Sequence, residues 1–489
     1  MKVNIKIAGW GIFLWLIIGL IFRLYNFERS FSFAHDQDLY SWIAKDILVN
    51  HHNRLVGQIT SVEGVFIGSF YYYVMAIFYA VGGMNPLAAS IPLLVIGLAS
   101  IYSIYWVVKI NFGLRAGVIA GFIYCCSYGM AVFDMWSVPT EPTLLWSIWF
   151  LATIMGLLKG NLKYLPLYGF LCGFVWQLHI ALIPILPLPI MAYFVGKNKF
   201  SYLWNKNNLK IVLMSLVIFL ITISPFVVFE VKHNFSQTKS MLVGINQDWN
   251  GPRGIQKWLK VTDAAGVEFS QRIFFGLSMS NPLLMWSIVA ICTAMVWPKT
   301  RENKNKIWLM IGWVLMILLV QFRSKRVVSE YYFTNLVPIY VVLISLYLEK
   351  IDNKILIAIG LGYLLINGYW LVGKSDVDNS YYYRNKVVEY IKQDSVKNGY
   401  KCVAINFIAD PGAGVGFRYL SWYHGLNLVK AGTPEIPVYN IAIPWQISAS
   451  EESTRWGRFG IVLPVEKNIS SANCEKSEYQ LDPLLGYTE

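Results

Sequence analysis

Eleven apolar stretches, each near the roughly 20 residues a helix needs to cross a bilayer, recur along this chain with short basic clusters between them. Their approximate limits are 8–23, 86–108, 116–133, 141–158, 165–180, 181–196, 211–229, 282–297, 307–321, 332–348 and 354–372. A soluble core cannot absorb that much apolar material: 56% of the 489 residues are hydrophobic, 14% are charged, and the mean hydropathy is +0.47. The expected fold is an all-α polytopic membrane protein with about eleven transmembrane helices. The formal charge of +13 sits in the clusters between the runs, so it marks topology and not a nucleic-acid footprint. Lys2 and Lys6 ahead of the first run resemble a signal peptide, but no small-residue cleavage pattern follows and Arg23 closes the run. An uncleaved first helix is therefore expected.

The run 65–81 is also apolar, and counting it as a crossing would flip every later loop. Positive charge arbitrates. If 65–81 lies along the outer leaflet, one side collects Lys2, Lys6, Lys109, Arg115, Lys159, Lys163, Lys197, Lys199, Lys206, Lys210, Lys299, Arg301, Lys304, Lys306, Lys350 and Lys354, while the turn 134–141 on the other side has no Lys or Arg. This places the N-terminus in the cytoplasm and puts residues 25–85, 230–281 and everything after 374 outside. The cell membrane of a bacterial type is the expected location. The aromatic run at 70–79 suits an interface helix, because amphipathic rings favour the headgroup level.

Three parts then face outward. Residues 25–85 hold juxtamembrane helices, with Leu39, Trp42, Ile43 and Ile47 at helical spacing. Residues 230–281 contain a short amphipathic helix near 255–275. From Ser375 the composition turns soluble, and the pattern predicts a small extracytoplasmic α/β domain: helix 381–397, strand 402–407, helix 417–428, and strands near 438–443 and 459–465. The domains are thus 1–374, membrane, and 375–489, outer. Cys125, Cys126, Cys172 and Cys292 lie in apolar spans as small fillers. Cys402 and Cys474 share the outer domain and can pair in an oxidising compartment.

The chemistry concentrates at 33–40, Phe-Ala-His-Asp-Gln-Asp-Leu-Tyr, just past the first span. Asp36 and Asp38, in an extended turn, would point toward one neighbourhood beside His35, where a carboxylate can take a proton from an acceptor hydroxyl or amine. Asp38 can equally be a helix cap, since it precedes the predicted helix. An Asp-x-Asp pair can also bind a divalent cation, although two carboxylates alone do not specify a metal site. Glu63, Asp134 and Glu141 are further acidic candidates on the outer side; among them Asp134, set between Phe133 and Met135, is the one whose polar cost in apolar surroundings most favours a site role. His179, in Trp-Gln-Leu-His, is either a satisfied structural group or a site residue.

Arg323, Lys325 and Arg326, followed by Tyr331 and Tyr332, break the charge pattern by emerging outside. Such a cluster suits the phosphate of a membrane lipid, Arg being a bidentate phosphate partner, or it is simple headgroup attraction worth about 1 kcal/mol per cation. Phosphate binders and a base on one side point to glycosyl or phosphoryl transfer from a lipid carrier. A flippase or transporter for a lipid-linked sugar is the alternative. It would favour polar or broken spans near the midplane and repeated halves. The spans here carry little intramembrane charge and show no visible repeat, which disfavours it. An oligosaccharide polymerase or ligase would share donor and topology.

The order of elements resembles the integral-membrane glycosyltransferases of the GT-C superfamily, especially glycosyltransferase family 39, with its protein mannosyltransferases and lipid A aminoarabinose transferases. The residues that carry the likeness are His-Asp-Gln-Asp at 35–38, Gly-Val-Phe-Ile-Gly-Ser-Phe-Tyr-Tyr-Tyr at 64–73, Asn-Pro-Leu-Ala-Ala at 85–89, Gly-Phe-Val-Trp-Gln-Leu-His at 173–179, Pro-Phe-Val-Val-Phe-Glu at 225–230 and Glu-Tyr-Tyr-Phe at 330–333. The resemblance spans roughly 8–372 and rests on order more than on any single motif. It implies a polyprenyl-phosphate sugar donor, a lipid, glycan or protein acceptor, an inverting reaction, and Asp36 as catalytic base. Two departures stand out. Gln37 occupies the place of the usual Glu after the Asp, and Gly68-Ser69 replaces a motif that supplies a phosphate contact in some relatives. Arg323, Lys325 or Arg326 would have to supply it here.

Overall fold

A computed structural model describes residues 5–60, 62–196, 203, 205–246, 251–276, 282–297, 300–325, 327–448, 454–465 and 471–481. Each of the eleven apolar stretches is helical, but they differ in reach. Among the described residues five helices are long and apolar enough to cross a membrane: Pro86–Phe112, Asn208–Lys232, Arg301–Arg323, Glu330–Leu348 and Asn353–Lys374. Leu114–Cys126 and Tyr128–Asp134 make a sixth together, bent by 69°. The other apolar helices, Gly11–Leu24, Thr143–Leu158, Ile180–Val195, Pro282–Met295 and Leu165–Leu178, are shorter. The packed interior of the bundle draws on nearly all of them, with Trp313, Ile148, Phe150, Met155 and Val341 essentially without solvent contact.

Within residues 25–85 the chain forms more structure than its sequence pattern suggests. A helix runs His35–Val49. Strands β1 (Val56–Ile59) and β2 (Phe66–Gly68) then pair antiparallel, and the helix Phe70–Val81 follows. The hairpin escapes sequence reading because its strands are only four and three residues long, with glycine in both. Its anchors are side chains from elsewhere. Tyr72 Oη accepts the Gln58 N–H at 3.0 Å, Tyr73 Oη bonds both the N–H and the carbonyl of Arg54, and Gln237 Oε1 accepts the Phe66 N–H at 2.6 Å.

After the last membrane helix comes Tyr381–Lys397, whose buried positions Tyr381, Arg384, Val387, Val388, Ile391 and Ser395 keep helical spacing. Gly399, at φ +69°, ends it in the left-handed conformation that glycine adopts without penalty. Strands β3 (Val403–Ala409), β4 (Leu428–Val429), β5 (Val438–Ile443), β6 (Thr454–Trp456) and β7 (Phe459–Val462) form one sheet in the order β4-β3-β5-β7-β6. β3 lies parallel to β4 and β5, and β7 antiparallel to β5 and β6. The helix anticipated at 417–428 is shorter, Arg418–Tyr423, because Gly425 takes φ +65° and the chain turns into β4. Cys402 and Cys474 are disulfide-bonded.

One hydrophobic cluster joins this sheet to the first outer loop. Phe31, Phe33, Leu39, Tyr40 and Tyr72 pack in a single body with Tyr381, Val387, Phe417, Tyr419, Ile441 and Phe459. The acidic stretch is thereby held between bundle and sheet.

Candidate active site

Helix His35–Val49 begins where it does because Gln37 Oε1 accepts the Ala34 N–H at 2.9 Å, satisfying a donor the helix start would otherwise strand. The same amide reaches out, Gln37 Nε2 donating to the Ser137 carbonyl at 2.7 Å, and ties the helix to the turn after Asp134. Since the helix starts at His35, Asp36 and Asp38 both lie in its first turn. Residues two apart on a helix point to different faces. The expectation that an extended turn would aim both carboxylates at one place is therefore corrected. Asp38 is also no cap of its own helix; its Oδ1 accepts the Tyr419 N–H at 2.8 Å, from the tail.

Asp36 lines a cavity of about 190 Å³ together with Gln58, Ile59, Thr60, Ile67, Trp136, Val138, Pro139, Thr140, His179 and Tyr331. Five separate parts of the chain meet here: the helix start, the hairpin, the turn 136–140 and the ends of two membrane helices. His179 is extended (φ −162°, ψ 132°) at the break between Leu165–Leu178 and the turn Ile180–Ile185. Its Nδ1 accepts the Ala181 N–H at 3.0 Å, which leaves Nε2 to carry the proton of the neutral ring. The ring rests against Tyr331 and Tyr332, at centroid distances of 5.7 and 5.2 Å.

Asp36 is half-buried and makes no side-chain hydrogen bond among the described residues. Burial raises its pKa above the ordinary carboxylate value, with His35 nearby drawing it partly back. Gln58 contributes a second unmatched acceptor, a buried Oε1 with no partner among the described residues. The cavity thus presents a basic carboxylate, an amide oxygen and an imidazole donor beside aromatic walls, a lining suited to a hydroxyl-rich ligand.

The remaining candidates are placed differently. His35 is exposed on the helix start, and Glu63 is exposed at the hairpin tip, outside the cavity lining. Asp134 is fully buried in an ion pair: Arg23 donates to it through Nε at 3.0 Å and through Nη2, and Tyr124 Oη donates at 3.0 Å. Arg23, which ends the first helix, is the partner that sequence order gives no hint of. Glu141 is buried behind the cavity wall, next to Thr140, and its Oε2 has no partner among the described residues. Arg323 and Lys325 are exposed on the segment leading to Tyr331, and Arg326 lies outside the described residues. Among the described residues no group of three or more His, Cys, Asp or Glu is placed to hold a metal ion. The residues that sequence reading overlooked, Gln58, Thr60, Trp136 and Thr140, come from the hairpin and from a turn with no motif of its own.

A family model described as dolichyl-phosphate-mannose-protein mannosyltransferase matches residues 69–229. The crystal structure of ArnT from Cupriavidus metallidurans in the apo state superposes with a TM-score of 0.64 at 12% identity, covering 95% of this chain and 99% of that one. The same protein bound to undecaprenyl phosphate gives 0.57 at 11% identity, again over 95% and 99%. No curated protein matches the chain in sequence. At such low identity the likeness establishes the fold, over 95% of this chain.

Proposed function

From this resemblance to the GT-C membrane glycosyltransferases, we propose that the chain transfers a sugar from a polyprenyl-phosphate donor to an acceptor on the outer face of the membrane. The donor class is supported by the matched family description, which names a dolichyl-phosphate sugar, and by the ArnT structure that holds undecaprenyl phosphate. In this reading residues 1–374 form the membrane transferase and 375–489 an outer α/β part. The N-terminus is cytoplasmic.

The observation that carries the proposal is the cavity in which Asp36, His179, Gln58 and Tyr331 converge. Asp36 takes the proton from an acceptor hydroxyl or amine. The freed lone pair attacks the anomeric carbon from the face opposite the phosphate, the bond from carbon to phosphate oxygen breaks, and the configuration inverts. The lipid phosphate leaves with the bonding pair, its charge stabilised by Arg323, Lys325 and Arg326. Gln58 and the Nε2–H of His179 hold sugar hydroxyls, and the proton on Asp36 passes to solvent. Because burial raises the Asp36 pKa, activity should fall on the acid side at a pH above that of an ordinary carboxylate.

The test uses purified protein in liposomes with a panel of labelled undecaprenyl-phosphate sugars. Asp36→Asn is expected to lower transfer by about 10²- to 10⁴-fold, the usual share of general-base catalysis. Arg323→Ala should slow departure of the phosphate. Label that crosses the bilayer while still attached to the lipid would point to a flippase, and undiminished transfer by Asp36→Asn would sink the role given to Asp36.

A further inference from the structure

Nothing among the described residues holds the Asp36 carboxylate by hydrogen bond, so its direction is inherited entirely from the helix that carries it. That helix is fixed on the bundle side by Gln37, through the Ser137 carbonyl. Ser41 Oγ meets Tyr79 Oη at 2.7 Å and Tyr40 packs on Tyr71 and Tyr79, which ties it to the helix Phe70–Val81. On another side the helix and the segments around it are fastened to the sheet-bearing tail. The Tyr381 N–H donates to the Phe31 carbonyl at 2.8 Å and the Val377 N–H to Arg29 at 3.0 Å. Phe33 meets the edge of Tyr381 at 5.8 Å. Tyr419 Oη donates to the Met84 carbonyl at 2.8 Å, and Trp42 contacts Trp422 at 6.5 Å.

At the centre of this joint is Asp38. Its Oδ1 takes the Tyr419 N–H, and the guanidinium groups of Arg418 and Arg384 bear on it electrostatically. Arg384 is itself buried, with Nε on the Val415 carbonyl at 3.1 Å and its plane over Phe417 and Phe459. Gly416 closes the joint so tightly that an added Cβ would lie 2.6 Å from the Phe33 carbonyl oxygen and 2.7 Å from Arg384 Nε, and its φ of +87° disfavours any other residue. Asp38 is thus one residue beyond Gln37 and two beyond Asp36, yet it belongs to the tail's contact surface.

We propose that Asp38 is a positioning residue for the transfer reaction: through Tyr419 it makes the C-terminal α/β unit the template that sets where Asp36 points. The proposal rests on Asp36 being the base. A carboxylate displaced by an ångström loses its approach to the acceptor proton without weakening the grip on the donor, so the expected signature lies in kcat and not in KM. The terminal unit then has a part in catalysis while none of its described residues lines the cavity.

Three variants in liposomes, with melting temperatures recorded for each, decide it. Asp38→Ala is expected to lower kcat by about 10- to 100-fold, the scale of small misplacements in a reacting group, with KM for the undecaprenyl-phosphate sugar within about twofold. Asp38→Asn keeps an oxygen for the Tyr419 N–H and should restore kcat to within about threefold of wild type, since the hydrogen bond and not the charge does the positioning. Gly416→Ala, which pushes the joint apart from the tail side, should reproduce the kcat loss, and it carries the test alone if Asp38→Ala does not fold. Wild-type kcat in a folded Asp38→Ala or in Gly416→Ala, with Asp36→Asn inactive, overturns the positioning role and leaves the base intact. A loss confined to KM overturns it too. If Asp36→Asn turns over at the wild-type rate, the base assignment falls and the positioning role with it.

Discussion

Two aspartates near the same end of the helix bundle receive opposite treatment. Asp134 is sealed from solvent and has both oxygens occupied, by Arg23 and by Tyr124. Asp36 is half-buried, borders a cavity and has neither oxygen matched within the described residues. A buried charge is costly unless paired, so the bundle spends a matching cation on Asp134 and obtains a fixed cross-link between its first helix and its bent one. In the proposed reading the Asp36 carboxylate keeps its lone pairs for the acceptor. Between these two residues, completeness of partners more than depth of burial distinguishes the paired acid from the proposed base.

That contrast is most directly broken by exchanging the two losses. Asp36→Asn should cost transfer up to about 10⁴-fold, equivalent to roughly 5 kcal/mol of barrier, and leave the melting temperature unchanged. Asp134→Ala, by stranding Arg23 in the interior, should cost about 3–5 kcal/mol of stability, read as a large drop in thermal midpoint in detergent. If Asp134→Ala were stable and inactive, the pair would have the roles reversed.

Smaller effects sharpen the comparison. Gln58→Ala removes the hydrogen bond proposed to a sugar hydroxyl and should lower kcat/KM by about threefold to tenfold, matching a net value of about 0.5–1.5 kcal/mol. A pH series on Asp38 gives the smallest signal. Burial lifts its pKa to about 6, against the help of Tyr419, Arg418, His35 and Arg384. A carboxyl raised in this way favours the folded state below its unfolded pKa, and that contribution is lost as pH rises through about 6. The melting temperature of wild type relative to Asp38→Asn should therefore rise as pH falls from 7 toward 4.

The membrane helices were legible because apolar length is a one-dimensional signal, and the terminal helix Tyr381–Lys397 because its buried face repeats at helical spacing. Asp36 was legible as an acid just beyond a span, and His179 and Tyr331 as polar groups at span ends. Their convergence was not, since it depends on a hairpin of seven strand residues held by Tyr72, Tyr73 and Gln237. Nor was the fate of Asp38, whose partner Tyr419 lies at the far end of the chain. Asp134 misled for a physical reason. Its apolar neighbours signal that a charge must be compensated, and sequence does not say whether a ligand or an arginine from another helix does so.

The break in the bent pair also leaves a mark that a genetic screen can read. Just after Ser127, a Cβ on Gly129 would stand 1.8 Å from the Gln271 carbonyl oxygen and 3.0 Å from Arg272 Cα, both main-chain atoms with nowhere to go. A saturation library should return glycine alone at position 129, while Gly11, Gly362 and Gly368, which face open space, accept many residues. Tolerance along this chain will therefore follow how closely two backbones pass and not how apolar the segment is.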